Sequence, residues 1–295
     1  MKFLILFITI MLQRYSGMNR KTTKSRSFLR WFNLFQNKKW FQKLGRNGRY
    51  TLVVFIPSIL IGGSFMLVEN MLWGLPAILL EVVLLLYVLS YADFYHHVDQ
   101  YREDIKKGDV QGAYLCADQY LAIPEIELSD ELSKLHDQVC HTILHRWFEF
   151  FFLMVFWFFI LGVPGVLLAW FSLQYSQLVH CKEKAWRPLH WLSWIPARLV
   201  GLTFALAGNF VQGISVWKQV LWKARIPADI VLYKVALASL SSHNTGACLE
   251  AVNNPESDVH QACDQMQELQ NLHNRSVIVW LVIIALVTIV GSSLY

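Results

Sequence analysis

Three groups of residues have types and spacings that could do chemistry. His141, His145 and Glu149 recur at i, i+4 and i+8, which on a regular helix puts two imidazoles and a carboxylate on one face. Paired histidines at this spacing suit zinc, but no glutamate stands between them as a general base, and a further ligand would have to come from elsewhere. The alternative is a helix carrying interfacial polar residues as it meets the membrane, with Arg146 beside them for headgroups. The second group is Ser193-Trp194-Ile195-Pro196-Ala197-Arg198-Leu199. Pro196 can open a helix, which would put Arg198 in its first turn against the preference of the helix dipole. A dedicated anionic partner would explain that placement, either a carboxylate of the protein or a small anionic ligand. The third is Glu81, alone in an apolar stretch, where an ionised carboxylate is costly. It faces a wet cavity or a partner helix, or it is protonated and serves packing alone. No metal is assigned, and His141, His145 and Glu149 are only weak candidates for one.

What must hold these residues is a membrane protein. Of 295 residues, 55% are hydrophobic and 16% charged, too apolar a balance for an ordinary water-soluble domain. The first 68 residues contain no Asp or Glu, yet eleven Lys and Arg fall between Arg14 and Arg49. By the positive-inside rule that stretch is cytoplasmic, in contact with anionic lipid, and Phe28, Trp31, Phe32, Phe35, Trp40 and Phe41 would lie at headgroup depth. Membrane proximity makes lipid, not nucleic acid, the partner of this basic segment. The apolar opening Met1 to Leu12 lacks a small-residue cleavage pattern, so it is expected to stay as a half-span, an interfacial helix or an extended span. Five cysteines without C-x-x-C spacing read as reduced thiols.

The chain divides as follows: 1–49, apolar N-terminus and polybasic aromatic segment; 50–92, a transmembrane hairpin; 93–146, a cytoplasmic helical region with a net charge of −7 between Asp93 and Asp137; 147–179, an apolar pair broken at Gly162-Val163-Pro164-Gly165; 180–276, cytoplasmic or interfacial helices; and 277–295, a last span. The 147–179 stretch could be a hairpin, a re-entrant pair or one kinked helix. The hairpin is preferred because it keeps all nine basic residues between 180 and 276 inside. Asp109 is expected to cap a helix over 110–121 after Lys107-Gly108, and Ser129 the next one; Ala228 to Leu240 reads as a helix. Leu199 to Ile214 is apolar enough to be buried or semi-inserted. The fold class is therefore all-α, a polytopic helical membrane protein with about four or five spans, since helices satisfy their own backbone in lipid and no strand alternation suggests a barrel. No phosphate-cradling glycine loop, dinucleotide fingerprint or nucleophile elbow occurs in the chain.

The order of these features resembles the AmpE family: Gln13-Arg14 before a basic stretch, the 51–91 hairpin, Lys107-Gly108-Asp109, Gly162-Val163-Pro164-Gly165, and above all Ser193 to Leu199. That family is related to the cobalamin-pathway membrane synthases of the CbiB/CobD type. The resemblance implies a bacterial inner-membrane, multi-pass protein that modulates signalling for β-lactamase induction, linked to recycling of cell-wall fragments, with a protein partner in that regulation. The related synthases join a corrinoid carboxylate to an aminopropanol or its phosphate with Mg-ATP. Where they carry acidic signatures, this chain has His141 to Phe150 with Glu149 as the one carboxylate, so ligation is not expected unless Asp118 or Glu149 takes over metal binding. Ser193, Trp194, Arg198, Asp118 and Glu149 form the candidate ligand set. A transporter or lipid-handling protein built around Glu81 is the third reading.

Overall fold

A computed structural model describes residues 2–16, 26–71, 75–89, 92–119, 132–178, 187–240 and 255–293. Among them every regular element is helical: α1 (Lys2–Ser16), α2 (Arg26–Gln36), α3 (Lys39–Lys43), α4 (Arg46–Tyr50), α5 (Ile56–Met71), α6 (Leu75–Leu89), α7 (Ala92–Lys106), α8 (Val110–Gln119), α9 (Leu132–Trp147), α10 (Leu153–Leu161), α11 (Val163–Leu178), α12 (Arg187–Ala207), α13 (Phe210–Leu221), α14 (Ala228–Leu240) and α15 (Pro255–Ser293). Two π-helical turns, Thr51–Phe55 and Phe148–Phe152, join α4 to α5 and α9 to α10 without ending the rod. Three helical stretches are long and apolar enough to cross a membrane, Arg46–Phe65, Leu135–Leu161 and Ala262–Val290, with shorter apolar helices over Phe3–Gln13 and Ile78–Leu89.

The chain forms two compact units. The first comprises residues 1–92, 149–193 and 287–295. In it α1 lies on α6, and Gln13 Nε2 donates to the Leu89 carbonyl at 2.5 Å, a tie between an amide side chain and a helix C-terminus. Gly162 ends α10 at φ 68°, a backbone conformation that costs glycine little, and its N–H donates to the Phe158 carbonyl. The chain reverses there, and α11 packs against α10. Pro164 begins the new helix and also fits α5: a Cβ on Gly62 would come within 2.5 Å of its ring.

The basic N-terminal helices join this core more deeply than headgroup-level aromatics would. Phe28 and Phe41 are 2% and 3% exposed, a correction to the expectation that all six aromatics lie at the interface. Phe28 packs on Trp170 and Phe171, and Phe32 meets both Phe41 and Tyr175 edge-on. The reason is competition: α11 presents aromatic rings that bury more area than a headgroup layer can cover. Trp40 and Leu34 remain exposed. Arg49 caps α3, donating from Nε to the Phe41 and Leu44 carbonyls and from Nη2 to that of Gln42.

The second unit comprises residues 93–148 and 194–286. Asp109 caps α8 as expected, its Oδ1 accepting from the Gly112 N–H at 2.8 Å, after Gly108 turns the chain at φ 71°. The 120–121 end of that helix and Ser129 lie outside the described residues. The 241–246 loop does as well. Helix α14 has the bounds read from the sequence. Nothing breaks the chain at 276/277; α15 runs through, because Asn274-Arg275-Ser276 contains neither Gly nor Pro to stop a helix.

Candidate functional site

Helix α12 carries three of the expected site residues, and its start corrects their premise. It begins at Arg187, not at Pro196, which lies inside it. A proline there deprives the Leu192 carbonyl of its i+4 donor. The Trp157 indole N–H takes that carbonyl at 3.1 Å, and this replacement lets the helix run through the proline. Trp157→Phe keeps most of the ring but removes the donor. We expect it to lower unfolding stability by about 1–3 kcal/mol, the cost of a buried unsatisfied carbonyl, measurable by SDS titration of the protein in micelles.

Since Arg198 is not in a first turn, the helix dipole does not explain it. Its side chain is 3% exposed. Nε donates to the Leu221 carbonyl at 3.1 Å, Nη1 to Trp194 at 3.0 Å and Nη2 to Lys223 at 3.0 Å. Leu221 is the last residue of α13, so the guanidinium supplies donors to carbonyls that a helix end leaves free, and a cation there also suits the negative end of the dipole. Burial lowers the Arg198 pKa to about 10, which leaves it charged at neutral pH. The guanidinium also stacks 4.4 Å from the Trp194 ring centroid. Trp217 closes the arrangement by donating its indole N–H to the Arg198 carbonyl at 2.8 Å. Trp194 itself keeps a buried indole N–H without a hydrogen-bond partner. Ser193 Oγ is engaged on its own helix, with the Leu189 and His190 carbonyls at 2.8 and 3.1 Å.

The other expected residues stand in different settings. Asp118 is exposed on α8, Glu81 half-buried on α6. Glu149 is buried and belongs to the π-helical turn after α9. His141 and His145 do share α9. His141 Nε2 is 3.7 Å from Asp229 Oδ2 on α14 and meets the Tyr233 ring edge-on, while Tyr233 donates its hydroxyl to Asp137. His145 stacks near Phe148. Among the described residues no group of three or more His, Cys, Asp or Glu is gathered closely enough to hold a metal ion.

A polar cluster went unnoticed in the sequence. Tyr101 on α7 and His136 and Cys140 on α9 form a buried chain, with the tyrosine hydroxyl 3.3 Å from His136 Nδ1 and Cys140 Sγ 3.3 Å from Nε2. Burial holds the Tyr101 phenol well above its ordinary pKa, so the hydroxyl stays protonated beside the ring. Only the i, i+4 spacing of His136 and Cys140 could have signalled it, and that spacing is common.

An all-helical chain with three membrane-length apolar helices among its described residues defines a helical membrane protein. The family described as "Regulatory signalling modulator protein AmpE" matches residues 31–294, and the chain belongs to it. It is also similar to a cobalamin biosynthesis protein CobD from Chromobacterium violaceum, 26% identical over 149 residues that make up 48% of this chain. The match spans about half of that relative, 47% of its length. No solved structure matches the chain.

Proposed function

We propose that this protein modulates β-lactamase induction from the bacterial inner membrane, in a system linked to recycling of cell-wall fragments. The observation that carries this reading is membership of the AmpE family over residues 31–294. In this reading 50–92 and 147–179 are membrane hairpins, 277–295 lies in the last span, and 93–146 and 180–276 face the cytoplasm or its interface. Exposed Leu34 and Trp40, beside Lys38 and Lys39, support contact of the N-terminal segment with anionic lipid. A small anionic ligand would use what the α12 site leaves free: the unpartnered Trp194 indole N–H and the guanidinium hydrogens of Arg198 that the three carbonyls do not take. A protein partner in the regulatory system is the remaining element.

Deleting the gene and restoring it tests the role directly. Induced β-lactamase activity after exposure to a β-lactam is expected to change several-fold on deletion and to return on complementation; identical induction in all strains would overturn the proposal. The CobD similarity favours one second reading, an Mg-ATP-dependent synthase, in which Asp118 or Glu149 would serve the metal. Thermal unfolding of the purified wild-type protein separates the two. A ligand at a hundredfold excess over Kd stabilises its site by about 2.7 kcal/mol. Stabilisation by a muropeptide supports the regulatory reading, whereas stabilisation by Mg-ATP and a corrinoid acid, with formation of an amide product, supports the synthase.

A further inference from the structure

We propose that the turn between α13 and α14, with Trp222 at its crest and Lys218, Lys223 and Arg225 around it, is a binding site for the headgroups of anionic phospholipid. The proposal rests on the reading of this chain as a membrane protein and adds, within 180–276, a lipid contact separate from that of the N-terminal segment.

Trp222 is 83% exposed, more than any other large hydrophobic side chain among the described residues. A headgroup layer suits such an indole, because the ring is apolar and its N–H polar. Lys218, Lys223 and Arg225 beside it are exposed as well. No Asp or Glu occurs from Lys184 to Ala228, so nothing on α12, α13 or the turn neutralises these cations. The first carboxylate after the turn, Asp229 on α14, lies 3.7 Å from His141 on α9, and Asp137 of α9 accepts from the Tyr233 hydroxyl. A basic, aromatic turn whose nearest acids are engaged with other groups complements a surface of lipid phosphates.

The depth of the turn follows from the helices packed around it. Arg146 is the last basic residue before the apolar run that α9 leads into, and Arg275 the last charged residue before that of α15. Trp147 stacks on His273 with ring centroids 4.5 Å apart, so the two runs begin at one level. Both ends of α13 are tied near that level. Before its start, exposed Arg275 donates to the Ala207 carbonyl at 3.5 Å. Beyond its end, Asp229 meets His141, which precedes Trp147 by about 9 Å of helix rise, against a headgroup layer roughly 5–8 Å thick. Helix α13 therefore lies along the membrane surface and not in the hydrocarbon, and its exposed Gln212, Ser215, Lys218 and Gln219 suit that level.

The backbone of the turn is held before any ligand arrives. Arg198, buried beneath it, donates from Nε to the Leu221 carbonyl and from Nη2 to that of Lys223, which also accepts from the Ile226 N–H at 3.2 Å. The Lys223 N–H returns to the Val220 carbonyl at 3.2 Å. These bonds fix the direction in which Trp222 and Lys223 project, so little backbone ordering remains to be done on binding. The nearness of the apolar boundary decides for lipid over an acidic protein surface.

Photo-crosslinking of the full chain in nanodiscs of mixed phosphatidylglycerol and phosphatidylcholine tests this. Benzoylphenylalanine is introduced singly at Trp222, Leu60 and Gln111, all exposed. After irradiation, intact-mass spectrometry reads the adducts of each lipid. Trp222 is expected to give several-fold more lipid adduct than Gln111 on α8, with phosphatidylglycerol enriched several-fold over its share of the disc. Combining Lys218→Gln, Lys223→Gln and Arg225→Gln should return the adducts at Trp222 to the composition of the disc. Lipid adducts at Leu60 but none above the Gln111 level at Trp222 overturn the headgroup site while leaving the membrane reading intact. So do adducts at Trp222 without phosphatidylglycerol enrichment, an enrichment that survives the triple change, or, in native membranes, adducts at Trp222 to protein alone. Absence of lipid adducts at Leu60 as well overturns both.

Discussion

Replacing Arg198 by alanine is expected to lower unfolding stability by about 3–5 kcal/mol, the range for stripping the partner from buried polar groups. The substitution removes three charged donors at once, from the carbonyls of Trp194, Leu221 and Lys223; Leu221 ends α13, and Lys223, just beyond it, keeps only the Ile226 N–H. Water cannot easily replace the guanidinium, because the side chain is 3% exposed and Trp194 covers one face of it. Lysine at this position restores a charge but not the planar fork, so Arg198→Lys should recover less than half of the loss. The two variants, compared by SDS or thermal unfolding without ligand, separate a cap from a ligand residue. If Arg198→Ala unfolds like the wild type, the cap contributes nothing and the remaining donors of the arginine are what a ligand would use. The result also governs ligand work, since a variant that loses a helix cap cannot serve by itself as a binding-site control.

Much of this architecture is readable from residue pattern because it is set locally. Asp109 caps α8 through an interaction that closes within three residues, and Ala228 to Leu240 is bounded by the Pro227 turn and the loss of helical pattern. The Gly162-to-Gly165 break follows from a glycine and a proline that no helix interior favours. What is not readable depends on partners distant in sequence. Pro196 looks like a helix start until Trp157 supplies the donor for Leu192. Arg198 looks like an anion-binding residue until the end of α13, more than twenty positions later, arrives beside it. Phe28 looks interfacial until α11 offers rings to bury it, and Phe41 until Phe32 and Phe35 of α2 close over it. The π-helical turn at Phe148–Phe152, which contains Glu149, has no composition of its own that the sequence pattern could signal. For Pro196 and Arg198 the apolar pattern is correct and the polar assignment changes, because polar groups choose among partners that only the tertiary structure brings near.

Gly165→Ala is the other substitution with a large expected effect, about 2–3 kcal/mol of destabilisation, near the upper end for one added methyl in a packed interior. The added carbon would sit 2.3 Å from the Trp157 carbonyl oxygen, 3.0 Å from its carbonyl carbon and 2.8 Å from Leu161 Cβ. Two of those atoms are backbone, so no side-chain rotation relieves the contact, and α10 must move away from α11. That movement carries Trp157 with it, and the Trp157 indole holds the Leu192 carbonyl that Pro196 leaves without a helical donor. One residue thus couples the α10–α11 reversal to the continuity of α12. The consequence is non-additivity: Gly165→Ala already weakens the indole hydrogen bond, so Trp157→Phe should cost less in that background than in the wild type. A double-mutant cycle by SDS titration reads this directly. Additive costs would mean that α11 yields rather than α10, leaving the indole and its carbonyl undisturbed.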